Sequence, residues 1–208
     1  QTGLSDNTRG IYTTDHGEHL GARGIYGKFT MYEESAGIPL LMSGPDVPEG
    51  NVVDTPVSLV DSFPTILEAV GADSSPEDAD LPGQSLWPIA QDGNRDRTVF
   101  SEYHAVGTRH AYYMLRNRQY KYNHYVNDPP QLFDLTTDPE ECNNLAASPE
   151  HRSVVQDFEK ELRDLLDPEA TDARCKADQE ALIESFGGKE AVLNRGAFDN
   201  SPVPGETP

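Results

Sequence analysis

Residues 9–21, RGIYTTDHGEHLG, constrain this chain more than any other stretch. Ile11, Tyr12, Thr13 and Thr14 are β-branched or aromatic residues of the kind strands prefer, so Arg9 to Thr14 is predicted as a central strand. Asp15 and His16 then fall at its carboxyl end, where open α/β sheets place their ligand sites. An adjacent carboxylate and imidazole can reach one divalent cation if the backbone turns sharply, and Gly17 permits such a turn. The cation would act as a Lewis acid on an oxyanion, or lower the pKa of a bound nucleophile. Lys28, further along the same loop, offers a flexible point charge for the oxygens of a sulfate or phosphate. The same residues also suit an exposed turn in which Asp15 caps a helix and His16 sits in water.

The rest of the chain reads as alternating elements without internal repeats. Ile38 to Met42 (IPLLM) is a continuous apolar run, as expected of a strand covered on both faces, and Gly44-Pro45 ends it. A helix is predicted from Asp61 or Ser62, with Pro64 in its first turn, to Gly71, burying Ile66, Leu67 and Val70. Ala72 to Asp80 (ADSSPEDAD) is acidic and turn-rich, a surface loop or a boundary. Four strand-like runs follow at 98–103, 111–116, 119–125 and 131–135, and their short connections predict an antiparallel meander. The tyrosines at 112, 113, 120, 122 and 125 read as sheet packing. Ser148-Pro149-Glu150 starts a helix that sets Val154, Val155, Phe158, Leu162, Leu165 and Leu166 on one face until Pro168 stops it. Thr171 to Phe186 is a further predicted helix closed by Gly187-Gly188, and Asp199 to Pro208 an extended tail. The expected division is residues 1–95, 96–170 and 171–208.

Taken together, TTDHGEHLGARGIYGKFTMYEESAGIPLLMSGP resembles the C-terminal metal-and-sulfate segment of the type I sulfatases, in the alkaline-phosphatase superfamily. Within that family it is most similar to choline-sulfatase-like enzymes, through D-H-G-E-x-L-G, R-G, Lys28, Tyr32-Glu33-Glu34-Ser35 and Ile38-Pro39-Leu40. The resemblance continues through GPDVPEGNVVDTPVSLVDSFPTILEAVG, TVFSEY and YKYNHYVNDPPQLFDLTTDPEECNNLA. It implies an α/β fold: the C-terminal part of an alkaline-phosphatase-like sulfatase, with the end of the large mixed sheet plus a smaller antiparallel-sheet-and-helix domain.

The resemblance also implies roles. Asp15 and His16 match the pair that helps bind the divalent cation. Lys28 matches the lysine on the substrate sulfate, a catalytic and substrate-binding position. Glu102 lies where choline-sulfatase-like enzymes hold a quaternary ammonium with an acidic residue. Calcium is the family's expected metal, while the His16 nitrogen keeps manganese open. The implied nucleophile is a hydrated formylglycine that attacks sulfur, made from the first residue of Cys- or Ser-x-Pro-x-Arg. This sequence has no such motif: Ser43-Gly44-Pro45 runs on to Asp46-Val47. The expectation is therefore a C-terminal part, with the nucleophile and the remaining metal ligands on a preceding segment.

Two other readings stand beside a sulfatase acting on a small-molecule sulfate ester. One is a phosphonate or phosphate ester hydrolase of the same superfamily; the other is an inactive module that binds anions or mediates assembly. A net charge of −20 argues against a nucleic-acid partner and leaves local groups to attract an anionic ester. No apolar run is long enough to cross a membrane, and two cysteines make no disulfide framework. A soluble protein is expected, cytoplasmic or periplasmic, with a homo-oligomer left open. In the loop, Arg23 is expected to pair with Glu18 or Glu33, and His19 to be solvated.

Overall fold

The computed structural model describes residues 3–93 and 95–195, and its contacts divide the chain into two compact units, 1–168 and 169–208. The expected tail at Asp199 to Pro208 lies outside the described residues. In the first unit, β1 (Gly10–Thr13) pairs antiparallel with β2 (Leu40–Ser43), Tyr12 lying opposite Leu41. Among the described residues β2 is the partner β1 has, so the expected central strand is half of a two-stranded ribbon. One face of that ribbon is open: Tyr12 is 67 % and Leu41 59 % exposed. Alternate residues of a strand face opposite ways, and the described elements shield one side of IPLLM only.

The predicted helix after the ribbon is present as α2 (Ser62–Val70), entered through a 3-10 turn (Leu59–Asp61) and closed by Gly71 at φ 68°. Its packing differs from expectation. Ile66 and Val70 are exposed, and Thr65 is the residue that is buried. The helix is held by polar contacts: the Thr65 hydroxyl donates to the Asp61 carbonyl at 2.6 Å and accepts the Leu86 N–H at 2.9 Å. Trp87, at the head of α3 (Trp87–Asp92), donates its indole N–H to the Thr65 carbonyl. The Asp61 carboxylate takes both arms of Arg97 at 2.7 and 2.8 Å and the Ser58 and Gln84 N–H groups. Burial works to raise its pKa, but these donors hold it below the usual carboxylate range.

The meander is a four-stranded antiparallel sheet in the order β3 (Val99–Tyr103), β4 (Tyr112–Arg116), β5 (Tyr120–Tyr125), β6 (Asp128–Asp134). β6 starts earlier than predicted and includes Pro129 and Pro130, which an edge strand tolerates because one side needs no N–H donors. On one face Tyr113, Leu115, Tyr122 and Leu132 pack against Phe158 and Leu162 of α4 (Arg152–Leu165), with Tyr122 stacked on Phe158. The predicted apolar stripe departs at one position, Leu165, which is 58 % exposed, while Leu166 just beyond α4 packs against the same core. On the other face Tyr112 and Met114 pack with Met31, flanked by Tyr103 and Tyr125. That second face carries the loop after β1.

The second unit contains most of α5 (Pro168–Ser185) and α6 (Gly188–Leu193), separated by Gly187 at φ 91°. Pro168 begins α5 as well as following α4, which suits a residue lacking an N–H at the first helical position. Among the described residues no helix is long and apolar enough to cross a membrane.

Candidate active-site loop

The loop from Asp15 to Ser35 folds back on itself through a few backbone bonds. The Gly17 N–H donates to the Ser35 carbonyl at 2.8 Å and the His19 N–H to the Gly27 carbonyl at 3.0 Å. The Ser35 hydroxyl donates to the Lys28 carbonyl at 2.5 Å. Gly17 earns its place here by close approach: a Cβ would meet the Glu34 carbonyl oxygen at 2.1 Å. It is absent from the positive-φ residues, so the special turn foreseen at Gly17 is not the reason glycine is needed; left-handed geometry falls instead at Leu20, Gly21, Arg23, Gly24 and Gly27.

Asp15, His16 and Lys28 come together. The His16 Nδ1 lies 2.8 Å from the Gly17 carbonyl, an acceptor only, so the ring hydrogen sits on Nδ1. Nε2 then presents its lone pair to the Lys28 ammonium at 2.5 Å, with the Asp15 carboxylate 3.2 Å away. Slight desolvation works against ionisation of Asp15, but hydrogen bonds from Thr14 and the backbone, with the His16 ring, hold its pKa below the ordinary value. A histidine whose second nitrogen is fixed on a carbonyl is the usual arrangement of a metal ligand. One carboxylate and one ring nitrogen fit part of a mixed N/O coordination sphere. Among the described residues no third His, Cys, Asp or Glu completes it. The lone pair on Nε2 cannot serve a metal ion and the Lys28 ammonium at once.

Other sites depart from expectation. His19 is buried at 2 % exposure, its Nε2 2.7 Å from the Thr30 hydroxyl, where a solvated ring was expected. Arg23 pairs with Glu34, at 3.1 and 3.2 Å from its Nε, and lies 4.0 Å over the Tyr32 ring; the partners foreseen were Glu18 and Glu33. Glu102 is half exposed and 3.0 Å from His104 Nε2. Strand alternation sets Glu102 with Phe100 on the α4 side, while Tyr103 faces Phe29 across 6.2 Å. Glu102 is therefore not brought together with the Asp15–His16–Lys28 group.

Sequence reasoning did not single out the charges beneath the loop. Lys121, fully buried on β5, places its ammonium 2.9 Å from the Met31 carbonyl, 2.5 Å from the Glu33 carboxylate and 2.9 Å from that of Glu141. A lysine inside a tyrosine-rich strand was the available signal.

Comparison with known proteins adds a second line of observation. The family model described as N-sulphoglucosamine sulphohydrolase, C-terminal, matches residues 17–167. The arylsulfatase K of Danio rerio is 37 % identical over 175 residues, covering 80 % of this chain and 32 % of its own length. The chain thus spans about a third of the length of the curated relatives it matches. Among solved structures, a 2-O GAG sulfatase superposes with a TM-score of 0.70 at 25 % identity, covering 86 % of this chain and 39 % of that one. The phosphonate monoester hydrolase of Agrobacterium radiobacter superposes with a TM-score of 0.65 at 26 % identity, covering 78 % and 36 %.

Proposed function

This chain belongs to the sulfatases, through the C-terminal region of the N-sulphoglucosamine sulphohydrolase family and its alkaline-phosphatase-like fold, and from that premise we propose that it supplies part of the active site of a sulfuric ester hydrolase. The observation that carries the reading is the convergence of Asp15, His16 and Lys28 at one point of the loop. Asp15 and His16 would hold the divalent cation. Calcium is favoured by family, with manganese suited to the His16 nitrogen. When bound, the cation supplies Lewis-acid stabilisation of charge on the sulfate oxygens.

The chain's own residues do the rest of the work assigned to it. Asp15, its pKa held below the ordinary aspartate value, is a carboxylate through the neutral range. His16 is held in one tautomer by Gly17. Lys28, on a four-carbon stem, turns its ammonium to the sulfate when His16 Nε2 is engaged elsewhere. The nucleophile belongs to residues outside these 208, and formylglycine is the group we propose for it. The division at 1–95, 96–170 and 171–208 is retained as part of the proposal.

The substrate is proposed at the level of a small-molecule sulfate monoester. A choline-type alcohol gains no support from the sulfatases above, whose names refer to aryl and GAG sulfates. A contact from Glu102 suits only a substrate that reaches past the edge strand β3. Structural likeness to a phosphonate monoester hydrolase supports phosphonate ester hydrolysis as the second reading.

The test uses the natural protein, with peptide mapping for formylglycine and turnover of an aryl sulfate beside an aryl phosphonate. The expected result is faster sulfate turnover, reduced on the order of 100- to 1000-fold by Lys28→Ala. Preference for the phosphonate moves the assignment to the second reading. Absence of both formylglycine and turnover leaves an anion-binding or assembly module.

A further inference from the structure

The turn after β6, within TTDPEECNN, carries Glu141, whose side chain is fully buried. Its backbone is left-handed, at φ 50°, a conformation few non-glycine residues adopt. The carboxylate is directed across to the loop of Asp15 to Ser35. One oxygen accepts the Glu33 N–H at 2.6 Å, at the start of α1 (Glu33–Ala36), where Tyr32 offers no side-chain cap. The other lies 2.9 Å from the Lys121 ammonium, which donates a hydrogen bond to the Met31 carbonyl and forms ion pairs with both Glu141 and Glu33. The carbonyls of Glu140 and Glu141 accept the Arg23 guanidinium, which in turn holds Glu34.

The grip reaches the candidate site in one further step. Glu33 and Ser35 lie two residues apart in α1, and Ser35 bonds both the Lys28 carbonyl and the Gly17 N–H. His16 and Lys28 flank these anchor points on either side of the loop. Close contact between Gly17 and Glu34 leaves little slack, so a shift of α1 moves both. Resting on the sulfatase reading, we propose that Glu141 is a positioning residue: it fixes the metal-and-sulfate loop to the four-stranded sheet and sets the placement of Lys28 and His16. Misplacement of reacting groups by about 1 Å is enough to slow an enzyme by about 100-fold.

The experiment uses the natural protein in three versions. Glu141→Gln keeps an acceptor for the Glu33 N–H and removes the charge. Glu141→Leu with Lys121→Met removes the buried pair together, a replacement proteins often tolerate. Glu141→Asp restores the charge on a shorter arm. The readouts are kcat and KM for an aryl sulfate, calorimetric affinity for inorganic sulfate, and hydrogen exchange across 16–35 against 112–134.

The expected result is faster exchange at 16–35 with 112–134 unchanged, kcat lowered about 10- to 100-fold with a smaller change in KM, weaker sulfate binding, and partial recovery in Glu141→Asp. Wild-type kcat and sulfate affinity in both folded charge-removed variants would overturn the proposal. So would exchange that rises equally in the sheet, since that marks a general structural role. If the natural protein turns over no sulfate ester, the sulfatase reading fails by itself, and exchange with sulfate affinity still decides the role of Glu141.

Discussion

The four-stranded sheet and the β1–β2 ribbon are built from the same strand-forming residue types and end with opposite degrees of enclosure. Tyr113 and Leu132 in the sheet are 0 % exposed, while Tyr12 and Leu41 in the ribbon stand mostly in water. The sheet has a cover on each face, α4 on one and the loop on the other. The ribbon is shielded on one face only among the described residues, and the loop that follows it is held by backbone bonds, ion pairs and a few buried side chains such as Met31 and His19. The difference has a chemical reason. On the proposed reading Asp15, His16 and Lys28 stay accessible to ligands, so the loop is anchored at other points, through the buried His19, Met31 and Ser35. Lys121 of the sheet and Glu141 of the turn after β6 add contacts to the same loop at Met31 and Glu33.

The largest way to break this comparison is to remove a core side chain from the enclosed half. Leu132→Ala deletes a fully buried side chain of β6 in the core shared with α4 and is expected to cost about 2–5 kcal/mol in urea unfolding of the natural protein. Sulfate-ester turnover should fall only with the folded fraction. Loss of turnover in protein that remains folded would mean the sheet does more for the site than support it.

A smaller global effect with a larger functional one is expected at Gly17→Ala. The new methyl meets the Glu34 carbonyl at 2.1 Å, and backbone cannot swing aside as a flexible side-chain end would. Overpacking of this kind costs about 1–3 kcal/mol. Turnover should drop sharply while residues 112–134 keep their hydrogen-exchange protection. A Gly17→Ala protein with normal turnover would show that the approach of the loop to α1 is not needed for the site.

The same contrast explains what the sequence made legible. The meander and α4 could be read because period-two and helical spacing record which side chains are enclosed, and Tyr113, Tyr122, Phe158 and Leu162 are enclosed. α2 could be placed by its start at Asp61 or Ser62, its Pro64 and its closing Gly71, but its packing could not, because Thr65 and Asp61 hold it by hydrogen bonds that leave no apolar period. Asp15, His16 and Lys28 were visible as a dense local run. Lys121 and Glu141 were not, for they meet the loop across 90 and 108 positions of sequence, from Met31 and Glu33. Partners that distant leave no spacing pattern. His19 misled for a related reason: its buried contact with Thr30 depends on how the loop closes, which Glu18 and Leu20 beside it do not report.

The smallest expected effect sharpens the comparison most, at the open face of the ribbon. Leu41 lies opposite Tyr12 across the β1–β2 pair, and both are exposed. A solvated leucine contributes little, so Leu41→Ser on this face should change the unfolding free energy by no more than about 0.5 kcal/mol. Burying a leucine side chain is worth about 1.5–3 kcal/mol. A loss of that size in the natural protein would mean that residues outside those described here cover the ribbon, and IPLLM would then be covered on both faces as its apolar run predicts. A change within 0.5 kcal/mol would leave the ribbon open and the contrast with the sheet intact.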